Sequence, residues 1–286
     1  MKRPNYATDK VLKQFIKRAL EEDIQDGDHS TLSTIPKSLE QNAKLLVKQD
    51  CILAGVELAE IIFKTFDENL KVETFIKDGE TAKIGDVAFI VSGSARSILS
   101  TERLVLNCMQ RMSGIATLTH DWDSRLIGSK TKLLDTRKTT PNFRVCEKWA
   151  VSIGGGTNHR YGLYDMIMLK DNHIDYNGSI TKAVKMAKDY IKKNKKKLKI
   201  EVETRNLEEV KEAINAKVDR IMLDNMDIAT MTKAVKLING SCESEASGGI
   251  TRDQLKDIAA TGVTFISAGA LTHSAENIDL SLKAIM

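Results

Sequence analysis

Two short apolar runs that each stop at a cluster of charged groups constrain this chain more than any other feature. The run from Lys132 to Leu134 is followed by Asp-Thr-Arg-Lys at 135–138, and the run from Met166 to Leu169 is followed by Lys170-Asp-Asn. Short apolar runs bounded by turn signals predict buried strands. Gathering cations at strand ends is costly, because like charges repel and lose hydration. A ligand with several negative charges would offset that cost.

The second half of the chain alternates strand-like and helix-like stretches. Apolar runs recur near residues 133, 167, 200, 221, 243 and 265, and helical spacing lies between several of them. This alternation predicts a parallel sheet with crossover helices. Polar groups at the ends of successive parallel strands are typical of a β/α-barrel active site. Six strands rather than eight predict an open, incomplete β/α barrel, which we assign to residues 111–271.

The first part of the chain predicts a separate α+β sandwich domain over residues 1–110. Asp9 is expected to cap a first helix, strands are expected near residues 43–48, 72–75 and 87–92, and a helix over 55–66. Another helix is expected to begin at Ser100 or Thr101. The polar stretch 26–31 contains acids and a histidine, but no matching second cluster, so a loop is preferred to a metal site. A last helix near 277–285, within the segment 272–286, is expected to return to this domain.

Composition excludes several classes of protein. Hydrophobic residues make up 42% of the chain and charged residues 29%, with a net charge of +4, as in ordinary globular enzymes. The basic run Lys192–Lys199 lacks interleaved aromatics beyond Tyr190, so nucleic-acid binding is not indicated. No apolar run reaches membrane-spanning length and no signal peptide is evident, so a cytoplasmic location is the expectation. The four cysteines lack the spacing of a zinc site or a disulfide framework.

Glycine turns and carboxylates occupy the ends of the later strands. Ser247-Gly248-Gly249 and Ala268-Gly269-Ala270 each precede a predicted helix, and their position and duplication favour phosphate binding over the alternative of two tight strand-to-helix turns. Glu203 and Asp224 end neighbouring strands and suit Mg²⁺ or ribose hydroxyls. Pairing with Lys170 or Lys138 is the structural alternative for these two acids. Glu201, on the same strand as Glu203, is also able to point inward.

The ordered motifs of the chain resemble one known family. They read D-T-R-K-T-T-P, E-K-W-A-V, G-G-G-T-N-H-R-Y-G-L and L-K-D-N-H-I, with T-E-R-L-V-L-N before them and E-V-E, L-D-N-M, E-A-S-G-G-I and I-S-A-G-A-L after them. This run resembles the signature of quinolinate phosphoribosyltransferases across essentially the whole chain. The resemblance implies an open α/β barrel beside an α/β sandwich. It also implies the synthesis of nicotinate mononucleotide, diphosphate and carbon dioxide from quinolinate and phosphoribosyl pyrophosphate, in NAD biosynthesis.

The resemblance assigns roles to individual residues. Arg137, His159 and Arg160 would hold the two carboxylates of quinolinate, and Thr136 belongs to the same substrate-binding set. Lys138 and Lys170 would contact phosphate or diphosphate oxygens. The matching acids Glu203 and Asp224 would face the ribose and Mg²⁺. Spacing alone makes Arg103 a solvated arginine, but the family places it in the neighbouring subunit's site. That implies a homodimer with shared active sites, and assembly into a hexamer stays open.

Two departures and three alternatives accompany this interpretation. Asn142 stands where the family usually has glycine, and we expect it to keep the turn because asparagine tolerates a left-handed backbone. Arg205 adds a cation near the site without an assigned role. A paralogue associated with molybdenum transport shares much of the motif set. An aldolase using Lys170 as a Schiff-base nucleophile would leave Arg137, His159 and Arg160 without a task, and a ligand sensor would not need the lysines and acids.

Overall fold

The computed structural model of the chain describes residues 3–285 and divides them into two compact units. The first unit comprises residues 3–120, 139–155 and 270–285. The second unit comprises residues 121–138 and 156–269. The first unit therefore takes in two later segments of the chain in addition to the stretch assigned to the first predicted domain.

The described residues form twelve strands and eleven α-helices. The strands are β1 Glu40–Val47, β2 Cys51–Ile52, β3 Lys71–Thr74, β4 Thr81–Ala82, β5 Val87–Ser94, β6 Lys132–Leu134, β7 Ile167–Leu169, β8 Ile200–Thr204, β9 Arg220–Asp224, β10 Glu243–Ser247, β11 Phe265–Ser267 and β12 Leu280–Ala284. The helices are α1 Asp9–Ile24, α2 His29–Thr34, α3 Val56–Phe66, α4 Ala95–Ser124, α5 Arg144–Ile153, α6 Asp171–Asn177, α7 Ile180–Lys193, α8 Leu207–Asn215, α9 Ile228–Ile238, α10 Leu255–Ala260 and α11 Ala270–His273.

The first unit contains an antiparallel sheet in the order β12-β1-β5-β3, which the last strand of the chain completes. Leu45, Phe89 and Val91 on its central strands are fully buried. The predicted C-terminal helix is wrong, since residues 280–284 form a strand paired with β1. Leu280 and Leu282 are buried and the serine between them is less so, which is the two-residue period of a strand rather than a helix.

The beginnings of the first two helices differ from the sequence prediction. Thr8, not Asp9, caps α1, and its hydroxyl accepts a hydrogen bond from Val11 N at 3.3 Å. The stretch predicted as a loop contains the start of α2. Asp28 caps that helix by accepting from Thr31 N at 3.0 Å, and its hydrogen bonds to the Thr31 hydroxyl and amide hold the pKa of Asp28 below its ordinary value.

Helix α4 begins earlier than predicted. It starts at Ala95 rather than at Ser100 or Thr101, directly after β5, and Ser94 Oγ accepts from Ser97 N at 3.4 Å. Its buried stripe includes Val105, Met109 and Met112. The predicted domain boundary at residue 110 lies inside this helix. Among residues 3–285, no helix combines the length and apolar character needed to cross a membrane.

The second unit contains a parallel six-stranded sheet in the order β6-β11-β10-β9-β8-β7. Each strand from β7 to β11 lies beside the next, and β6 lies beside β11, which is the order of a barrel that is open between β6 and β7. Thr157 forms an isolated parallel bridge with Leu134 at the β6 edge. Val202, Ile221 and Ile266 on its inner strands are fully buried. The predicted open barrel is confirmed.

Gly114 in α4 offers a test of the packing in the first unit. A Cβ atom at this position would lie 1.9 Å from the carbonyl oxygen of Glu276, which is backbone and cannot rotate away. We expect Gly114→Ala to lower the free energy of unfolding by about 3 kcal/mol, because one of two packed segments must move. Urea unfolding of both proteins measures this change.

A matched control is Gly85→Ala, at a turn of the same unit with a φ of +94° and no atom within 4 Å of the added Cβ. Only the strained backbone conformation acts there, at a cost of about 1 kcal/mol. Equal losses in the two variants would contradict the close contact at Gly114.

Candidate active site

The ends of neighbouring parallel strands bring a lysine and two carboxylates together in the second unit. Lys170 Nζ, just after β7, lies 3.4 Å from Glu203 Oε2 on β8. Burial raises the pKa of Glu203 above its ordinary value; the Lys170 cation opposes this shift, and the nearby Asp224 carboxylate adds to it. The structure thus places Lys170, Glu203 and Asp224 in one group, and the pairing of Glu203 with Lys170 that the sequence left as an alternative is present.

Two arginines of the predicted site lie close enough to repel each other. Burial, and next the charge of Arg137, lower the pKa of Arg160 below its ordinary value. Arg160 Nη1 donates to the carbonyl of Met166 at 3.2 Å. The Nε atom of Arg137 is buried and has no hydrogen-bond acceptor within the part of the chain that the structure describes. An unpaired, buried guanidinium edge beside a second guanidinium calls for an anion.

Asp135 fixes the loop that carries Arg160. This carboxylate, at the end of β6, is completely buried. One oxygen accepts from His159 N and the other from Asn158 Nδ2, both at 2.7 Å. Sequence reasoning quoted Asp135 only as part of a motif. Its position directly after an apolar strand, at the head of the Asp-Thr-Arg-Lys run, was the available signal for this role.

A second carboxylate shapes the same loop further along. Asp165 accepts from Tyr161 N at 2.6 Å and from Gly162 N at 3.0 Å. The chain from Asn158 to Asp165 is therefore folded around two acidic side chains, one at each end. The two carboxylates hold the loop backbone on either side of Arg160 and accept no hydrogen bond from its guanidinium in doing so.

The imidazole of His159 lies in the interior of the second unit, against two carboxylates. Its Nε2 is 3.1 Å from Glu201 Oε2 and 3.3 Å from Glu245 Oε2, and Arg220 Nη1 is 2.9 Å from the same oxygen of Glu245. Burial would lower the pKa of His159, but the hydrogen bonds to Glu201 and Glu245 raise it to about 9. Arg160 N donates to Nδ1 at 2.6 Å, a contact that only the neutral ring can make and that opposes the rise.

The partners of His159 were mostly missed by sequence reasoning. Glu201 was recognised as able to point inward, and it does; Glu245 and Arg220 were not singled out. The signal was present in strand alternation, since Glu201 lies on the same face of β8 as Glu203, and Arg220 lies on the same face of β9 as Asp224. The predicted contact of His159 with substrate carboxylates stays a prediction.

His159, Glu201 and Glu245 are the only group of three metal-binding side chains with closely placed ligand atoms among residues 3–285. Their ligand atoms lie within 4.8 Å of one another. Arg220 and the His159 imidazole already lie against these two carboxylates, so protein groups occupy the positions beside their oxygens. The predicted Mg²⁺ position at Glu203 and Asp224 is a different location and stays a prediction.

Gly248, after β10, sits at a close approach of two chain segments. Its φ is +103°, and a Cβ atom there would lie 2.3 Å from Asn225 Oδ1 at the end of β9. Gly249 follows with a φ of +54° and open space around it. At the end of β10, the carbonyl oxygen of Ser247 accepts a hydrogen bond from Asn225 N at 2.9 Å. The turn leaves room beside backbone, as phosphate binding requires, and that role stays a prediction for Ser247–Gly249 and for Ala268–Ala270.

Other predicted residues have the following places. Lys138 N donates to Thr136 Oγ1 at 3.0 Å, which turns the chain directly after Arg137. His173 Nδ1 accepts from Lys170 N at 3.0 Å and so supports the start of α6. Arg205, without a role from the sequence, pairs with Glu209 and Asp175 on the exposed surface and is a structural cation.

Arg103 belongs to the first unit, where it lines a cavity of about 500 Å³. The cavity also contacts Phe15, Asn107 and the Thr140–Phe143 segment. Asn142 in that segment has a φ of +62°, so the left-handed turn predicted for it is confirmed.

Comparison with known proteins agrees with this geometry. The model of the quinolinate phosphoribosyl transferase N-terminal domain matches residues 28–113, and that of the C-terminal domain matches residues 115–283. The chain belongs to the quinolinate phosphoribosyltransferase family. The two matches together span nearly all of the sequence, so the family covers both units.

Relatives of the family resemble the chain along most of its length. A chloroplastic nicotinate-nucleotide pyrophosphorylase [carboxylating] of Oryza sativa subsp. japonica is 48% identical, over 95% of this chain and 77% of that protein. A probable enzyme of the same name from Bacillus subtilis is 42% identical, over 96% and 94%. The crystal structure of NadC from Streptococcus pyogenes is 38% identical, with a TM-score of 0.91 over 98% of this chain and 99% of that one.

The buried histidine predicts a pH-dependent contribution to stability. The pKa of His159 in the folded protein, about 9, lies above the ordinary value of 6.5. Its contribution is therefore complete below pH 6.5 and is lost as the pH rises towards 9. The difference in unfolding free energy between the wild type and His159→Gln should shrink by on the order of 3 kcal/mol between pH 6 and pH 9.5. Urea unfolding at several pH values measures it, and a constant difference would contradict a cationic His159.

Proposed function

We propose that this chain catalyses the reaction for which its relatives are named. Quinolinate and phosphoribosyl pyrophosphate are converted to nicotinate mononucleotide, diphosphate and carbon dioxide, a step of NAD biosynthesis. The membership of the chain in the family and the arrangement of the strand ends support this assignment. The cytoplasm remains the proposed location.

The pair of arginines carries the proposal. Burial, and next the charge of Arg137, lower the pKa of Arg160, and the buried Nε of Arg137 lacks an acceptor among the described residues. A guanidinium presents a planar fork to a carboxylate. Quinolinate carries two adjacent carboxylates on a flat ring, so two neighbouring forks would both neutralise and orient it. Neither a barrel aldolase nor an ordinary monocarboxylate enzyme needs this pair.

The remaining groups suit the sugar phosphate. Lys138 and Lys170 supply point charges for diphosphate oxygens, and the turns Ser247–Gly249 and Ala268–Ala270 supply backbone N–H groups and room for a phosphate. The carboxylates of Glu203 and Asp224 would accept hydrogen bonds from ribose hydroxyls. The ion pair of Lys170 with Glu203, at 3.4 Å, would open when diphosphate competes for the lysine.

Glu203 and Asp224 also fit Mg²⁺. Two oxygen donors close enough for one to raise the pKa of the other gain from a shared cation. Mg²⁺ bound there would neutralise charge on the diphosphate as it departs. We therefore include Mg²⁺ as the cofactor in the proposal.

The chemistry follows from these positions. The pyridine nitrogen attacks the anomeric carbon as the bond to diphosphate breaks, and the carboxylates of Glu203 and Asp224 stabilise positive charge developing on the ribose. The lysines hold the negative charge of the leaving group. The alkylated ring nitrogen is positive, so it accepts the electron pair left at the adjacent carbon when the 2-carboxylate leaves as carbon dioxide. A proton then replaces the carboxylate.

A homodimer with shared active sites is part of the proposal. Arg103 lines a cavity of the first unit. A partner's substrate carboxylate would give this arginine the task that the family resemblance implies. Further assembly of dimers into hexamers is compatible with the same surface.

A coupled assay tests the reaction. With quinolinate, phosphoribosyl pyrophosphate and Mg²⁺, we expect equal amounts of nicotinate mononucleotide and carbon dioxide, and no product when nicotinate replaces quinolinate, because one carboxylate leaves a guanidinium unpaired. Chelation of Mg²⁺ should stop the reaction. A folded protein that uses neither base would contradict the proposal and favour the paralogue with another base.

Arg137→Lys tests the residue that carries the proposal. Lysine keeps the charge but loses the fork, so kcat/KM for quinolinate should fall about 100-fold while the KM for phosphoribosyl pyrophosphate changes little. Arg252→Lys is the matched control in the same unit. Arg252 pairs with Asp121 away from the strand ends, and its variant should keep wild-type kinetics.

Hybrid dimers test the shared site. Arg103→Ala and Lys138→Ala subunits should each be inactive as homodimers, and mixing them should restore part of the activity, since one site in the hybrid carries both wild-type residues. Subunit exchange is verified by tagging one variant. Absence of recovery despite exchange would refute the contribution of Arg103 to the partner's site.

A further inference from the structure

A buried ion pair in the first unit links two helices and also binds two other segments of the chain. Arg111 of α4 donates through Nε and Nη2 to Glu147 Oε1 of α5, each at 3.1 Å. The side chain of Glu147 is completely buried and that of Arg111 is 21% exposed. Charges this far from water are stable only when their partners are in place.

Both members of the pair also form hydrogen bonds with residues outside α4 and α5. Glu147 accepts from Thr140 N through Oε2 and from Thr140 Oγ1 through Oε1, both at 2.9 Å. Arg111 Nη1 donates to the carbonyl of Ala275 at 2.6 Å, and Nη2 donates to the carbonyl of Thr272. An ion pair that only held α4 against α5 would need none of these bonds.

The segments that the pair binds directly follow two proposed substrate-binding stretches in the sequence. Thr140 is two residues after Lys138, and Thr272 is three residues after Gly269. Consecutive Cα atoms are about 3.8 Å apart, so an anchored Thr140 limits how far Lys138 can move. The same holds for Thr272 and Gly269. One buried pair is therefore connected to the chain that follows Arg137 and Lys138, and to the chain that follows Ala268 and Gly269.

We propose that Arg111 and Glu147 are positioning residues of the phosphoribosyl transfer, which anchor the Arg137–Lys138 stretch through Thr140 and the Ala268–Ala270 turn through Thr272 and Ala275. This role rests on the proposed function. It acts through the backbone, and neither Arg111 nor Glu147 needs to touch a substrate.

Thr140→Val tests the anchor on the quinolinate side. Valine has nearly the same shape, keeps the backbone N–H bond to Glu147 and removes the hydroxyl bond. We expect kcat/KM for quinolinate to fall about tenfold, mainly through kcat, because the reacting groups are held less accurately. Thr140→Ser restores the hydroxyl and should return kcat/KM to within about twofold of the wild type.

Thr119→Val is the matched control. Its hydroxyl is buried in the same unit and donates to the carbonyl of Ile115 at 2.7 Å within α4, without contact to the ion pair. Both valine variants should unfold at a lower temperature than the wild type. Only Thr140→Val should lose kcat/KM.

Arg111→Lys tests the whole arrangement. A lysine keeps the charge but cannot donate to Glu147, Thr272 and Ala275 at once. We expect kcat/KM to fall about 100-fold for both substrates, since both stretches lose their anchor. Amide hydrogen exchange should become faster over residues 136–142 and 270–276 in this variant, whereas Thr119→Val should leave those segments unchanged.

The outcomes separate this proposal from the proposed function. A wild type without turnover refutes the function, and hydrogen exchange in the two segments still reports on the anchor. Wild-type turnover with an unaltered kcat/KM in Thr140→Val, or an equal loss in Thr119→Val, overturns the positioning role alone. Failure of Thr140→Ser to restore kcat/KM would overturn it as well.

Discussion

The second unit depends on the neutralisation of charge in a place that water does not reach. Glu201, Arg220 and Glu245 come from three neighbouring strands, and the imidazole of His159 completes the group. Each carboxylate would be strongly destabilising without its cationic partners. This cluster therefore couples the register of β8, β9 and β10 to the position of the loop around His159. Because Arg160 is the next residue in that loop, the cluster also fixes the position of its backbone.

Charged side chains in the interior of the second unit and those at its strand ends differ in the partners that the protein provides for them. Inside, Glu201 lies 3.1 Å from the His159 imidazole and Glu245 lies 2.9 Å from the Arg220 guanidinium. At the strand ends, Arg137 and Arg160 are close together, and Arg137 keeps a buried donor atom without an acceptor among the described residues. In the proposed function, a ligand would supply the missing acceptor at the strand ends, whereas the interior groups face one another. This contrast is what separates a binding site from a structural ion pair in this fold.

The sequence predicted local and periodic features well, and long-range partners poorly. Each of the six barrel strands was found from its apolar run, and the charges at their ends were recognised because parallel strands end at one edge. The start of α4 was missed because Ser94 and Ser100 are equally good caps by spacing. Strand β12 was taken for a helix because its partner, β1, lies more than two hundred residues earlier. The interior cluster was missed because β9 and β10 must pair in register before Glu245 meets Arg220.

The pairing of β12 with β1 has a consequence for synthesis of the chain. The sheet of the first unit has the order β12-β1-β5-β3, so one edge of β1 stays without a partner until β12, more than two hundred residues later, has been synthesised. An unpaired strand edge can pair with another nascent chain. The second unit, whose strands all lie between residues 132 and 267, completes its sheet earlier. Folding during translation should therefore complete the sheet of the second unit first, and the pairing of β12 with β1 is the step that closes the sheet of the first unit.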